Sequence, residues 1–149
     1  MAHIIFSHGD KGGVGKSVIA ATLVDYLLAQ QRPVQLIEGD KSQPDVGPRF
    51  VGRVGVEGVN LNRTDEPEDA VIQFVDAVNE IAGPDDVVVV NLPASASDTL
   101  DSIASVLIAA ACESGHTTSM AYSIGHTKTA TEGIRSSVEK GLAGAIGPQ

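Results

Sequence analysis

Apolar runs alternate with amphipathic runs along this chain. "HIIFSH" (3–8) is a short β-rich run followed at once by glycines. Residues 16–31, "KSVIAATLVDYLLAQQ", set Ile19, Ala20, Leu23, Tyr26 and Leu27 at helical spacing. Arg32-Pro33 stops that helix, and "VQLIEGD" (34–40) reads as a second strand. "KSQPDVGP" is loop by its Pro and Gly content, and "VEGVNLN" (56–62) predicts a weaker third strand. A proline near the start and acidic residues in the first turn mark a helix at "EPEDAVIQFVDAVNEIA" (66–82), which Gly83-Pro84 ends. "DVVVVNL" (86–92) is the clearest strand, β-branched throughout and expected to be covered on both faces. A helix over 97–114, a strand over 117–125 and a more polar helix over 127–144 complete the series.

The order β-α-β-(β)-α-β-α-β-α predicts an α/β fold, three-layered, with a mainly parallel β-sheet flanked by helices. No internal repeat and no linker with a composition shift interrupts it, so one domain is expected over 1–149. The last helix runs into "GAIGPQ", where a further strand would be natural. The chain is therefore either a compact version of its fold or a C-terminally truncated piece of it.

Composition narrows the function classes. Aromatics make up 3% with no Trp, so the core must be built from Val, Ile, Leu and Ala, a palette suited to a buried parallel sheet. A formal net charge of −9 argues against a broad nucleic-acid or anionic-membrane face. Cys112, the single cysteine, excludes an internal disulfide and a cysteine zinc cage, and in "VLIAAACESG" it reads as a small buried apolar residue. No signal peptide or apolar run long enough to span a bilayer is visible, so the expected location is the reducing cytoplasm. His3, His8, His116 and His126 show no metal-ligand spacing; His8, just before the glycines, reads as a strand-end histidine. The acidic cluster "TDEPED" (64–69) is most simply a solvated helix start.

The chemistry lies in "HGDKGGVGKS" (8–17), a strand leading through glycines into a helix. Glycines let successive N–H groups turn into one anion-sized hollow, and the helix start adds unpaired donors and the positive end of its dipole. Such a loop holds a nucleotide phosphate chain: Lys16 reaches the β- and γ-phosphates and the Ser17 hydroxyl holds Mg²⁺. The nucleotide-contacting residues expected are Gly12, Gly13, Val14, Gly15, Lys16, Ser17 and Val18. The ordinary pattern G-x-x-x-x-G-K-S/T fails, because Asp10 stands at the first glycine. What fits is K-G-G-x-G-K-S/T, with Lys11 as an added cation.

That signature resembles the deviant Walker A motif of the MinD/ParA family of ATPases, relatives of the nitrogenase iron protein. The resemblance implies ATP or ADP with Mg²⁺, a nucleotide-dependent homodimer, slow hydrolysis and a stimulating partner protein. It implies that Lys11 reaches across the dimer to the partner's nucleotide, where a cation arriving in trans stabilises phosphoryl charge. In the family the second strand closes on D-x-D. Here it reads Glu38, Gly39, Asp40, so Asp40 falls on the aspartate that orients the attacking water and touches the metal's water shell. The implied catalytic set is Lys11, Lys16 and Asp40. "VVVVNLPAS" resembles the Walker B strand, with Asn91 where an aspartate is expected and Ser95 where glycine is common. Asn91 can still accept from a magnesium-bound water but brings no charge, which predicts a weakened metal shell.

Within the family, "LIEGDKSQPDVG" is similar to switch I of small ParA-like proteins encoded among plasmid mobilisation and stability genes. Partition or mobilisation of plasmid DNA is thus the implied setting. With 10 Lys plus Arg and no basic stripe, direct DNA binding stays open, and no basic amphipathic membrane helix ends the chain. Two rivals remain. A small-molecule kinase would use Arg49, Arg53 and Arg63 as a lid over the phosphates. A non-hydrolysing nucleotide-binding adaptor would fit Asn91 and the acidic charge.

Overall fold

The computed structural model of the chain describes residues 1–9, 12–62, 67–94 and 96–147, with the backbone alone at 96–98. Five strands, β1 (His3–His8), β2 (Val34–Glu38), β3 (Val56–Gly58), β4 (Val87–Asn91) and β5 (Thr117–Tyr122), form one sheet in the order β3-β2-β4-β1-β5. Every pairing is parallel, so each connection is a crossover. Helix α1 (Lys16–Ala29) covers one face; α2 (Pro67–Ile81) and α3 (Ala96–Glu113) cover the other. The expected three-layer α/β architecture is what the chain adopts.

Alternation along the strands decides which side chain enters which layer. Leu36, Val87 and Val89 pack against Ala20, Val24 and Leu27 of α1, with Val46 and Phe50 from the chain after β2. Ile4, Phe6, Ile37, Val88 and Val90 pack against α2 and α3, where Phe6 stacks on Phe74 at 5.6 Å between ring centres. All five residues of β4 are buried, as a central parallel strand requires.

The elements fall near where the sequence places them, with five corrections. The strand expected over 117–125 stops at Tyr122. The helix expected over 127–144 is two helices, α4 (Lys128–Lys140) and α5 (Leu142–Ile146), because the chain turns extended at Gly141 and the Asp101 carboxylate of α3 accepts the Leu142 N–H at 3.0 Å. The third strand is three residues long rather than 56–62. Its continuation still donates from Leu61 N–H to the Gly39 carbonyl (2.8 Å). The buried stripe of α1 is Lys16, Ala20, Val24 and Leu27, while Ile19 and Tyr26 are exposed; the stripe is rotated because Lys16 must lie over the strand ends. Cys112 is exposed, since the α3 stripe that includes Leu107, Ile108 and Ala111 leaves it on the solvent side. Among the described residues no helix is long and apolar enough to cross a membrane.

Candidate functional site

Strand register sets the floor of the site. Ser7, Asn91 and Glu38 stand directly beside one another at the C-terminal ends of β1, β4 and β2. All three share the parity of Ile5, Val89 and Leu36, and so face the α1 side as a polar row closing an apolar layer. All three are buried. The ligand crevice of a parallel α/β sheet opens at this end of the strands.

The loop after β1 lies over that row. Gly13 and Gly15 have φ of 78° and 102°, a left-handed conformation that side chains resist. Gly15 is the N-cap of α1 and makes no side-chain cap bond, so the first turn of the helix offers its N–H groups to a ligand. Ser7 Oγ donates to the Lys16 carbonyl at 2.7 Å, fixing the helix start to the strand. Lys16 is only 6% exposed and, with Gly12, Gly13, Gly15, Ser17 and Val18, lines a cavity of about 420 Å³. Val14 is half-buried between the two left-handed glycines. Lys11 and Asp10 lie outside the described residues, as do Arg63, Ser95 and the first three residues of the 64–69 cluster.

The opposite wall comes from β2, β4 and the chain after β2: Glu38, Asp40, Gln43, Asp45 and Asn91. Glu38, 3% exposed, accepts from the N–H of Val46 (2.6 Å) and of Gly47 through Oε1, and from Asn91 Nδ2 (2.9 Å) through Oε2. It is an anchor for residues 40–47, where the sequence suggested only a longer substitute for aspartate. Gly39 lets this happen: a Cβ there would lie 2.9 Å from the Asn91 carbonyl, which its N–H contacts instead at 2.9 Å. Asp40 lines the cavity as expected, yet its Oδ1 accepts from Ser42 N–H (3.0 Å), Ser42 Oγ (2.6 Å) and Gln43 N–H (3.2 Å). That is an Asx-type turn holding its own loop. Asn91 donates its second amide hydrogen to Asp45 Oδ1 at 2.8 Å.

Asp45 is the wall carboxylate that the sequence reading does not single out. The signal was an acid following the loop proline in "SQPDV". Asn91 Oδ1, in contrast, is buried and accepts no hydrogen bond among the described residues. An orphaned buried acceptor beside Ser17 and two aspartates fits a hydrated divalent cation, whose bound waters donate. Among the described residues no three His, Cys, Asp or Glu form a self-sufficient metal site, so a cation here would need phosphate oxygens as well.

Of the arginines suggested as a kinase lid, Arg49 and Arg53 do not line this cavity, and Arg63 lies outside the described residues. Arg53 pairs with Asp25 of α1 at 3.1 Å and lies over the Phe50 ring, beside Val34 at the other end of β2. His8 points to the opposite face of the sheet, wholly buried and edge-on to the Tyr122 ring at 4.9 Å. Neither ring nitrogen has a partner among the described residues. Burial, and then the positive charge of Lys16, push its pKa down to about 4, so it is neutral beneath the loop after β1.

No family model matches this chain. It is similar to the protein MobD of Acidithiobacillus ferrooxidans, 41% identical over 86 residues, a stretch that covers 58% of this chain and 35% of MobD. The match thus spans about a third of the curated relative's length. Among solved structures, a nucleotide-binding protein from Archaeoglobus fulgidus in complex with ADP superposes with a TM-score of 0.48 and 16% identity, covering 91% of this chain and 60% of that one. A likeness that loose does not bear on activity.

Proposed function

We propose that this chain binds ATP and ADP at the loop after β1 and works as an ATP-dependent dimerising switch of the MinD/ParA class, with slow hydrolysis stimulated by a partner protein. One observation carries the reading: a left-handed glycine loop delivers Lys16, Ser17 and the uncapped start of α1 into a cavity at the C-terminal ends of parallel strands. The likeness to MobD and the switch I resemblance support a setting in plasmid partition or mobilisation. One domain carrying the whole nucleotide site is part of this reading.

The residues divide the work. Backbone N–H groups of Gly12–Ser17 bind the phosphates, Lys16 neutralises them, and Val18, exposed at the rim, borders the cavity. Ser17 and the Asn91 Oδ1 would hold hydrated Mg²⁺, with Asp40 acting through water; the ion, when bound, neutralises charge on the phosphate oxygens. Lys11 acts in trans on the partner's nucleotide. A non-hydrolysing adaptor is the second reading, favoured by the uncharged Asn91 whose donors are both committed to carboxylates.

Solution mass with ATP·Mg²⁺ and with ADP, followed alongside phosphate release, tests the switch. A dimer with ATP alone and slow release is expected; a dimer without release selects the adaptor. Lys16→Ala should lower nucleotide affinity at least about 100-fold, and retained affinity overturns the site. Lys11→Ala should bind nucleotide as a monomer and fail to dimerise; unchanged dimerisation removes the trans role.

A further inference from the structure

We propose that Asp45, carried on the loop after β2, presents to the nucleotide's divalent cation the carboxylate that the end of β4 lacks, and that Asn91 is the positioning residue that holds it there. The inference rests on the nucleotide reading above and adds a residue to it.

Three carboxylates wall the cavity, and they are committed to different degrees. Glu38 is buried under three accepted hydrogen bonds. Asp40 has one oxygen saturated by Ser42 and Gln43, and the other faces Asn62 Nδ2 at 3.5 Å. Asp45 accepts one bond, from Asn91, and its second oxygen is unpartnered among the described residues. Of these three lining carboxylates it alone is exposed, and it makes the fewest hydrogen bonds among the described residues.

Asn91 explains why an amide stands at the end of β4. With Glu38 Oε2 on one amide hydrogen and Asp45 Oδ1 on the other, its orientation is fixed and Oδ1 must point away from both carboxylates. That oxygen is a buried acceptor without a partner among the described residues, on a residue 5% exposed that lines the cavity. A donor such as a cation-bound water is what it lacks, and the Asp45 carboxylate, held by the same amide, lines the same cavity. An aspartate at 91 has no donors, and it would set a third negative charge against Glu38 and Asp45. It would push the loop carboxylate away while adding one of its own. Asn91 is thus a relay for charge supplied from the loop rather than a deficient metal ligand.

The test is ADP affinity measured by calorimetry in Mg²⁺ and in EDTA, for the wild type and for Asp45→Asn, Asp45→Glu and Asn91→Asp. The wild type should bind ADP more tightly in Mg²⁺. Asp45→Asn should cut that Mg²⁺ advantage about tenfold, as loss of an outer-shell carboxylate does, and leave the EDTA affinity within about twofold. Asp45→Glu should recover part of it. Asn91→Asp, which restores the ordinary acid, should lose the advantage too. A full Mg²⁺ advantage in Asp45→Asn, an equal loss in both buffers, or a gain in Asn91→Asp overturns the proposal. A wild type that binds no ADP in either buffer overturns the nucleotide reading itself, a result distinct from the other three.

Discussion

The loops after β1 and β2 meet across one cavity, yet they are held by opposite means. Among the described residues the first is shaped by backbone, with two left-handed glycines and a helix start, and Ser7 ties in through the Lys16 carbonyl. The second is held by carboxylates, with Glu38 bonding Val46 and Gly47 from below, Asp40 closing its own turn, and Asp45 caught by Asn91 from the side. A carboxylate-held loop responds to every charge brought beside it, because Coulomb terms strengthen in a water-poor cleft. The contrast sets a wall built from backbone against a wall built from carboxylates across one cavity.

The largest expected effect breaks the second loop at its root. Glu38→Ala strips the acceptor from two backbone N–H groups and from Asn91 Nδ2, all at a buried carboxylate. Unfolding in urea should show a loss of about 3–4 kcal/mol, several unsatisfied donors together. Gly12→Ala in the first loop is the matching control. Its added Cβ meets only Ala94 Cβ at 3.7 Å, an ordinary contact, and the change should stay within about 0.5 kcal/mol. Equal losses in the two variants would mean that the loops do not differ in how they are held.

Acid strikes the floor of the first loop. His8 has its pKa lowered to about 4 from an ordinary 6.5, first by burial and then by Lys16. Between those values the unfolded chain binds a proton that the folded chain does not, so stability is full above pH 6.5 and falls as pH drops towards 4. The loss over that window is on the order of 3 kcal/mol. Tyr122 and Lys16 are the neighbouring titratable groups that face or act on the ring. His8→Leu should flatten this part of the stability–pH curve and cost little at pH 7, since neither ring nitrogen has a partner to lose among the described residues. An unchanged slope in His8→Leu would assign the acid sensitivity elsewhere.

The same contrast sorts what was legible in the sequence. The strands and their order announced themselves through apolar runs, and the first loop through its glycines, because both are local properties of backbone and period. Lys16, Ser17 and the glycines accordingly line the cavity where they were expected. The second loop was read at the right place but with the wrong division of labour. Glu38 looked like a longer aspartate and proved to be an anchor, and Asp45 was passed over. Glu38 anchors through amides 8 and 9 residues on, and it and Asp45 are bonded by Asn91, 53 and 46 residues away, contacts that no local sequence pattern records. The break at Gly141 was hidden for the same reason, since Asp101 lies on another helix. Exposed Cys112 and Tyr26 show the reverse limit: helical spacing gives a stripe but leaves its rotation to the partner surface.

The smallest effect on stability separates the two roles of Asp40. Asp40→Asn retains an oxygen for the Ser42 and Gln43 donors while removing the charge, and Asp40 is partly open to solvent. Urea unfolding should move by less than about 0.5 kcal/mol, and hydrogen exchange at the Ser42 and Gln43 amides should stay slow. If Asp40 also orients water for hydrolysis, phosphate release in the same variant should fall by about 100-fold, in the range of a lost general base. Asp40→Ala opens the turn as well, so fast exchange at those amides is expected there in addition. A variant pair in which release tracks amide exchange and ignores charge would make Asp40 a builder of the loop and nothing more. In that event Asp45 is the carboxylate left to act on a bound nucleotide, as proposed above.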